Sequence, residues 1–342
     1  MPVSQSELLA AIPELTGLPV LVVGDVCLDD YYIGRIQQMA SDGLVPILEL
    51  EKRSQVAGNA AIPAANIAGL GGKAILLSLV GEDEAGTNLR AAISQAGIDP
   101  AGVMSEAGRS TVVKLHFIAR GESHLPHPLA RMDQRNHNPI SPELESQLGA
   151  RLTQLIPQAK AVLFSDHQSG LASRPVIEAA RQAAKSNGAL LIADSHGDLG
   201  KYHQFTLVKC SQVEAERYLV RPLASQKDFQ GAISNIITRL GVRLVLLTQG
   251  AGGLSIGTAE GKYFYLPSAN PSEVFDLTGT EDMVMAVMTL ALASGQSAPL
   301  AVTLANYAAG LVAHKPGSAS ITPAELRRAI ESWPLETITE LD

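Results

Sequence analysis

Five short runs of β-branched and aliphatic residues alternate with longer stretches of helical spacing, and this alternation limits the folds open to the chain. The runs are PVLVVGDV at 19–26, KAILLSLVG at 73–81, AKAVLFSD at 159–166, GALLIADS at 188–195 and RLVLLTQG at 243–250. Between them lie amphipathic stretches at 59–70, 84–96, 141–156, 172–186 and 226–240. Nearly continuous apolar strands separated by helices predict an α/β fold, a doubly wound, mostly parallel sheet with helices on both faces. Hydrophobic residues make up 46% of the chain and aromatics only 4%, so the core is built from Ala, Leu, Ile and Val. Such sheets bind ligands outside the carboxyl ends of their strands. Asp25, Asp166, Asp194 and Thr248 are expected at that edge.

Two segments break the pattern. Residues 31–56 and 110–133 alternate polar with apolar and carry no helical period. They are expected as antiparallel strands with one wet face, forming a small β-sheet lid inserted into a single domain spanning 1–342. A lid excludes water from a transfer reaction; a dimerisation sheet has the same pattern, and the two roles are compatible. There is no internal repeat and no low-complexity linker.

The formal charge is −8 with no Lys/Arg block, which argues against a nucleic-acid partner. Only Cys27 and Cys210 are present, so neither a disulfide framework nor a zinc cluster is available. The first residues carry Glu7 and Glu14 and lack the basic start of a secretory signal, and no apolar run is long enough to span a bilayer. The expected location is the cytoplasm.

Four motifs carry possible chemistry. GDVCLDD at 24–30 places Asp25 and Asp29 at the end of the first strand, where carboxylates accept hydrogen bonds from a sugar diol; a solvated turn gives the same composition. AGNAAIPAANIAGLGG at 57–72 is a Gly/Asn turn before a helix of small residues, which suits a close ligand or close helix–sheet packing. TQGAGG at 248–253 is a turn against which a nucleotide could lie. DLTGTED at 276–282 joins a Gly turn to an apolar helix, so that the backbone N–H groups at 280–282 become donors for an anion. Asp282 lies in that first turn, where it could take a proton from an attacking hydroxyl. Acids also favour helix starts through the macrodipole and capping, and sequence does not separate these readings.

These motifs, with SD at 165–166 and ANxAAG at 305–310, occur in the order and spacing of a known family. From about 18 to 331 the chain resembles the ribokinase/PfkB family of carbohydrate kinases. GDVCLDDYYIG, VPILELE, RMD at 131–133 and GSASITPAEL at 317–326 resemble most the heptose-7-phosphate kinase half of bifunctional ADP-heptose synthases. No H-x-G-H motif of the nucleotidyltransferase half is present. The resemblance implies transfer of the γ-phosphate of MgATP to a hydroxyl of a sugar or sugar phosphate. It implies Asp282 as base and the N–H groups of Gly279, Thr280, Glu281 and Asp282 as the anion hole. Asp25, Asp29, Gly58, Asn59, Arg131 and Asp166 would bind the sugar. Ser211, Glu214, Thr248, Gly250, Gly253 and Asn306 would border the nucleotide. Mg²⁺ would involve Glu214, and a monovalent cation such as K⁺ would sit near Asp276, Thr278 and Gly317. A homodimer through the lid sheet is also implied.

The departures from the family pattern gather at the chemistry. Gly-Ala-Gly-Asp reads Gly279-Thr280-Glu281-Asp282, and Asn-x-x-Glu reads Ser211-Gln212-Val213-Glu214. Ser169 and His196 stand where lysines are expected, Ser195 replaces a proline, and Ile62 replaces a sugar-binding Asn. A carboxylate about 4 Å from a phosphate oxygen costs roughly 4 kcal/mol at an effective dielectric of about 20. Losing one anion-hole donor costs about 3–4 kcal/mol, so an inward-pointing Glu281 would slow transfer about a thousandfold. Two escapes are open to it: pointing to solvent, or ligating Mg²⁺ with Glu214. Without one, the alternative is a catalytically inactive kinase fold serving as a ligand sensor or complex subunit. A dinucleotide-dependent oxidoreductase is disfavoured, because no G-x-G-x-x-G follows the first strand.

Overall fold

The computed structural model describes residues 3–41, 43–120, 126–136, 138–269, 277–315, 317, 319–334 and 338–341. Its strands are β1 (Pro19–Gly24), β2 (Val26–Met39), β3 (Pro46–Asn59), β4 (Lys73–Gly81), β5 (Val103–Glu106), β6 (Val113–Arg120) and β7 (Pro126–Gln134), then β8 (Ala161–Asp166), β9 (Leu190–Ser195), β10 (Leu207–Ser211), β11 (Leu244–Thr248), β12 (Leu254–Thr258), β13 (Tyr263–Leu266) and β14 (Thr339–Leu341). Ten of them form one sheet in the order β14-β13-β12-β11-β10-β9-β8-β1-β4-β5. From β11 across to β5 the strands run parallel, while β12, β13 and β14 add an antiparallel edge.

The period of two along each strand divides the core into two layers. Val20 and Val22 of β1, with Ala161 and Leu163 of β8, face the layer holding α2 (Ala61–Gly69), α8 (Thr280–Ala293) and α9 (Ala298–Ala313). Leu21, Val23, Val162 and Phe164 face the layer holding α4 (Pro142–Leu155), α5 (Arg174–Asn187) and α7 (Gln226–Leu240). Helix α8 is buried from Met283 to Ala291 and so has no wet face; it is a central helix of the core. Each of these helices except α2 and α8 begins with a serine whose hydroxyl accepts from a first-turn N–H. Among the described residues no helix is long and apolar enough to cross a membrane.

The five strands and five helices expected from periodicity are present, with ends shifted by a few residues. The expected helix 59–70 begins at Ala61 because Asn59 still belongs to β3 and turns the chain at φ 55°, a conformation Asn tolerates better than most residues.

The lid is a separate four-stranded sheet ordered β3-β2-β6-β7. It is not antiparallel throughout, as the alternation suggested: β2 pairs β3 and β6 pairs β7 antiparallel, but β2 and β6 run parallel. The reason is the connection. Between β2 and β6 the chain returns to the main sheet through β4 and β5, and this long crossover permits parallel pairing where a tight turn would not. One residue, Asp25, separates β1 from β2, so the main sheet runs directly into the lid at the carboxyl end of its strands.

Packing at that junction leaves no spare room. A methyl group on Gly24 would lie 2.1 Å from the carbonyl oxygen of Ser165 on β8 and 2.9 Å from Ala60 Cβ. Gly24→Ala is therefore expected to destabilise the fold by about 1–3 kcal/mol, read in urea as a lower midpoint with an unchanged slope.

Candidate active site

Strand order reverses around β1, which lies between β8 on one side and β4 on the other. A crevice opens there, beyond the carboxyl ends of the strands, as the topology requires. It is a cavity of about 340 Å³ walled by lid, sheet edge and the head of α8, and its lining includes Asp29, Asn59, Lys114, His116, Arg131, His167, Asp194, His196, Thr278, Gly279, Glu281 and Asp282.

The lid wall is built by strand alternation. Asp29 and Tyr31 of β2, Lys114 and His116 of β6 and Arg131 of β7 are paired in register across three strands. His116 Nε2 lies 2.8 Å from Asp29 Oδ1, and its ring stacks on Tyr31 with centroids 4.4 Å apart. Lys114 Nζ donates to Asn59 Oδ1 at 2.6 Å. Arg131 makes a paired contact with Asp133, at 2.7 Å for each bond, and is half exposed. Gly58 is required beneath this wall, since a Cβ there would stand 2.0 Å from Asp29 Oδ2.

The opposite wall is the start of α8. Gly279 is its N-cap at φ 78°, and no side chain caps the helix. Thr280 Oγ1 donates to Leu277 O at 2.8 Å. The Thr280 N–H is also taken, donating to Leu277 O at 3.2 Å, and the residues of this wall that line the cavity are Leu277, Thr278, Gly279, Glu281 and Asp282. Burial pushes the Asp282 pKa up to about 7, helped by the charge of Asp194 and opposed by Lys209 and His196.

Glu281 takes neither of the two expected escapes. Its side chain is 41% exposed, yet the carboxylate is bound within the protein and is not joined with Glu214. Its Oε2 accepts from Lys209 Nζ at 2.5 Å and its Oε1 from Thr248 Oγ1 at 2.8 Å. Burial would raise its pKa, but Lys209 and Thr248 hold it below the usual glutamate value. Lys209 is itself fully buried and 3.0 Å from Asp194 Oδ1. Burial works against its charge, yet the two carboxylates push its pKa well above that of an ordinary lysine. The negative charge that threatened the anion hole is therefore matched by a cation.

His196 occupies the place of a family lysine and carries a positive charge of its own. Burial would lower its pKa, but the bond from Nδ1 to Glu214 Oε1 at 2.9 Å and the charge of Asp194 raise it to about 9. Glu214 is held at about 2: burial would raise it, and the His196 bond, the Ser211 N–H and Lys209 more than reverse that. His167, its ring centroid 4.6 Å from that of His196, is kept neutral by burial and by the charge beside it.

Several expected ligands are turned away from the cavity. Both Asp25 oxygens accept backbone N–H groups, from His167 at 3.1 Å, Ser169 at 3.0 Å and Leu171 at 3.3 Å. Burial pushes its pKa to about 6 against those bonds. Asp25 is the anchor of the loop after β8 and does not line the cavity. Asp166 is likewise engaged, with Oδ2 accepting from Lys201 Nζ at 2.6 Å and Tyr202 OH at 2.7 Å and Oδ1 from Gln168 N at 3.0 Å. Ser211 caps α6 (Gln212–Leu219) in a reciprocal capping box with Glu214. Gly250 and Gly253 form the turn between β11 and β12, at φ 56° and 92°. Asn306, buried in α9, holds the segment after β13 through Pro267 O at 2.8 Å and Ala269 N at 3.3 Å. Gly317 lies at φ 68° beside a neighbouring groove under the lid, of about 700 Å³. Asp276, and with it the expected cation site, lies outside the described residues.

Lys114, His116, His167 and Lys209 escaped the sequence reading. The first two share a face of VKLHFIAR, and asking which lid face carries the basic side chains would have found them. Lys209 stands mid-strand in an apolar segment, where a charge argues against a strand.

Among the described residues no three His, Cys, Asp or Glu side chains converge to hold a metal ion by themselves. That donor set suits Mg²⁺ arriving with a nucleotide, held mainly by phosphate oxygens and water.

The His196–Glu214 pair has a pH signature. A histidine near pKa 6.5 unfolded and about 9 folded adds stability that is complete below about pH 6.5 and lost as pH rises through about 9. Wild type should exceed His196→Gln in urea stability at pH 6, and the gap should close by about pH 10.

The arrangement has relatives. A model described as the pfkB family carbohydrate kinase matches residues 21–325. The bifunctional protein HldE of Paramagnetospirillum magneticum is 32% identical over 316 residues, 92% of this chain and 63% of that protein. HldE of Azotobacter vinelandii is 34% identical over 322 residues, covering 94% and 65%. The chain thus spans less than two thirds of the length of these relatives. Arabidopsis thaliana ribokinase complexed with ribose and ATP superposes with a TM-score of 0.71 at 18% identity, covering 92% of this chain and 99% of that one. Escherichia coli phosphofructokinase-2 in complex with potassium gives 0.75 at 18%, covering 92% and 98%; at such identities the likeness is one of fold. The family match runs from β1 into α10 (Pro323–Ser332) and takes in the lid, the cavity and the head of α8: this chain belongs to the pfkB family of carbohydrate kinases.

Proposed function

We propose that the protein transfers the γ-phosphate of ATP to a hydroxyl of a sugar phosphate, as a heptose-7-phosphate kinase does. One observation carries the reading: a carboxyl poised near neutrality, Asp282, faces a lid wall of Lys114, His116 and Arg131 across a single cavity at the helix head. The acceptor's own phosphate would pair with Lys114 and Arg131, and Arg131 offers it a planar fork. That contact turns the sugar hydroxyl toward Asp282. Asp282 takes the hydroxyl proton as the oxygen bonds to the γ-phosphorus and the bond to ADP breaks. Charge gathering on the transferring group meets the backbone N–H groups at the start of α8. Mg²⁺, brought with ATP, would neutralise the phosphates, and Glu214 would be the carboxylate that helps to hold it. The lid closes the site against water, which would otherwise take the phosphoryl group.

Incubation with MgATP and a panel of sugars and sugar phosphates tests this directly. ADP release with a phosphorylated acceptor is expected, and release with none of them would end the reading. Asp282→Asn should lower kcat by about 10²–10⁴-fold while MgATP still binds. Because the base must be ionised, kcat/KM should rise with pH up to about 7 and then level off.

The lid also supports self-association. Nine of the twelve exposed large hydrophobic residues among those described lie on it, including Leu44 at 94% exposure and Leu50 at 54%. An apolar patch of this kind is covered by a partner more often than left wet, and a second copy joined lid to lid fits it. Light scattering should give a dimer for the wild type and a monomer for Leu44→Asp/Leu50→Asp.

A further inference from the structure

Lys209 is a buried charge that the mechanism above does not use. It sits two residues after Leu207 on β10, on the face packed by α8. Buried lysines are costly unless paired, and breaking such a pair leaves an uncompensated charge. Here Asp194 holds the ammonium at 3.0 Å from the sheet side and Glu281 at 2.5 Å from the helix side. A first-turn glutamate ordinarily bends toward its own helix amides or lies over the macrodipole. Glu281 does neither. Its carboxylate bridges Lys209 and Thr248, and α8 is left with no side-chain cap.

We propose that Lys209 is a positioning residue: it holds Glu281 against Thr248, offsets its charge, and so keeps the Glu281 and Asp282 amides at the head of α8 open to a nucleotide phosphate. The inference rests on the kinase reading. It makes the carboxylate tolerable only while the lysine holds it, whereas the lysine keeps Asp194 as a partner without Glu281. Freed from Lys209, the carboxylate would be drawn to those same amides and would repel the phosphate.

Titration calorimetry with MgADP separates this role from mere structural support. Lys209→Met should weaken MgADP binding at least about tenfold, and should raise the KM for ATP while leaving the KM for the acceptor unchanged. Lys209→Met/Glu281→Gln should recover affinity to within about threefold of wild type. A lysine that only supports the core would leave the double variant as weak as the single, because both lack it. Equal weakness in the two, or a single variant that binds like wild type, overturns the proposal. If Lys209→Met does not fold, Glu281→Gln decides alone, since Lys209 keeps its pairing with Asp194. Affinity within about threefold of wild type is then expected, and a gain of about tenfold or more would show the carboxylate already obstructing the phosphate, against the proposal. A wild type that binds no MgADP defeats the kinase reading itself, and this inference with it; that result appears before any variant is made.

Discussion

A lysine buried between two carboxylates ties the head of α8 to the sheet, and the site depends on that tie. Asp194 on β9, Lys209 on β10 and Glu281 on α8 come from three elements far apart in sequence. Asp194 and Lys209 are buried and each would carry a large desolvation cost alone, while Glu281 keeps part of its side chain in solvent. Together they leave one net negative charge, beside the imidazolium of His196. His196 is matched by Glu214, so one net negative charge remains near Asp282, and burial, helped by Asp194, lifts its pKa toward neutrality. Without the lysine, the same two carboxylates would raise it further still and would face an incoming anion directly.

The departures from the family pattern also look different once placed in space. Charge lost at one position returns at another: His196 stands for a lysine with a pKa of about 9, and Lys201 lies over Asp166 near the loop where Ser169 replaces a second lysine. The cavity wall gains Lys114 and Arg131 from the lid. An inactive fold would be expected to lose such balance. Here the substitutions are compensated by neighbours in the structure, and no observation favours the inactive alternative.

Fold and site were legible in the sequence to different degrees. The parallel sheet and its main helices follow from periodicity, because a buried strand must be apolar and a half-buried helix must repeat near 3.6. The lid was legible as alternation, though not its mixed pairing, since alternation reports burial and carries no information on strand direction. Asp282 and Gly279 were legible because helix starts have local rules. Asp25 and Asp166 were legible as edge residues only. Their neighbours in space, the loop amides at 167–171 and the side chains of Lys201 and Tyr202, decided that they anchor loops.

By itself the sequence determined what local chemistry can encode: apolar period, turn residues, the acids at a helix start and the family to which their order points. Tertiary structure alone decided where Glu281 goes. Its partner Lys209 lies 72 residues earlier in the chain, and electrostatic energy depends on distance in space, which no local pattern carries.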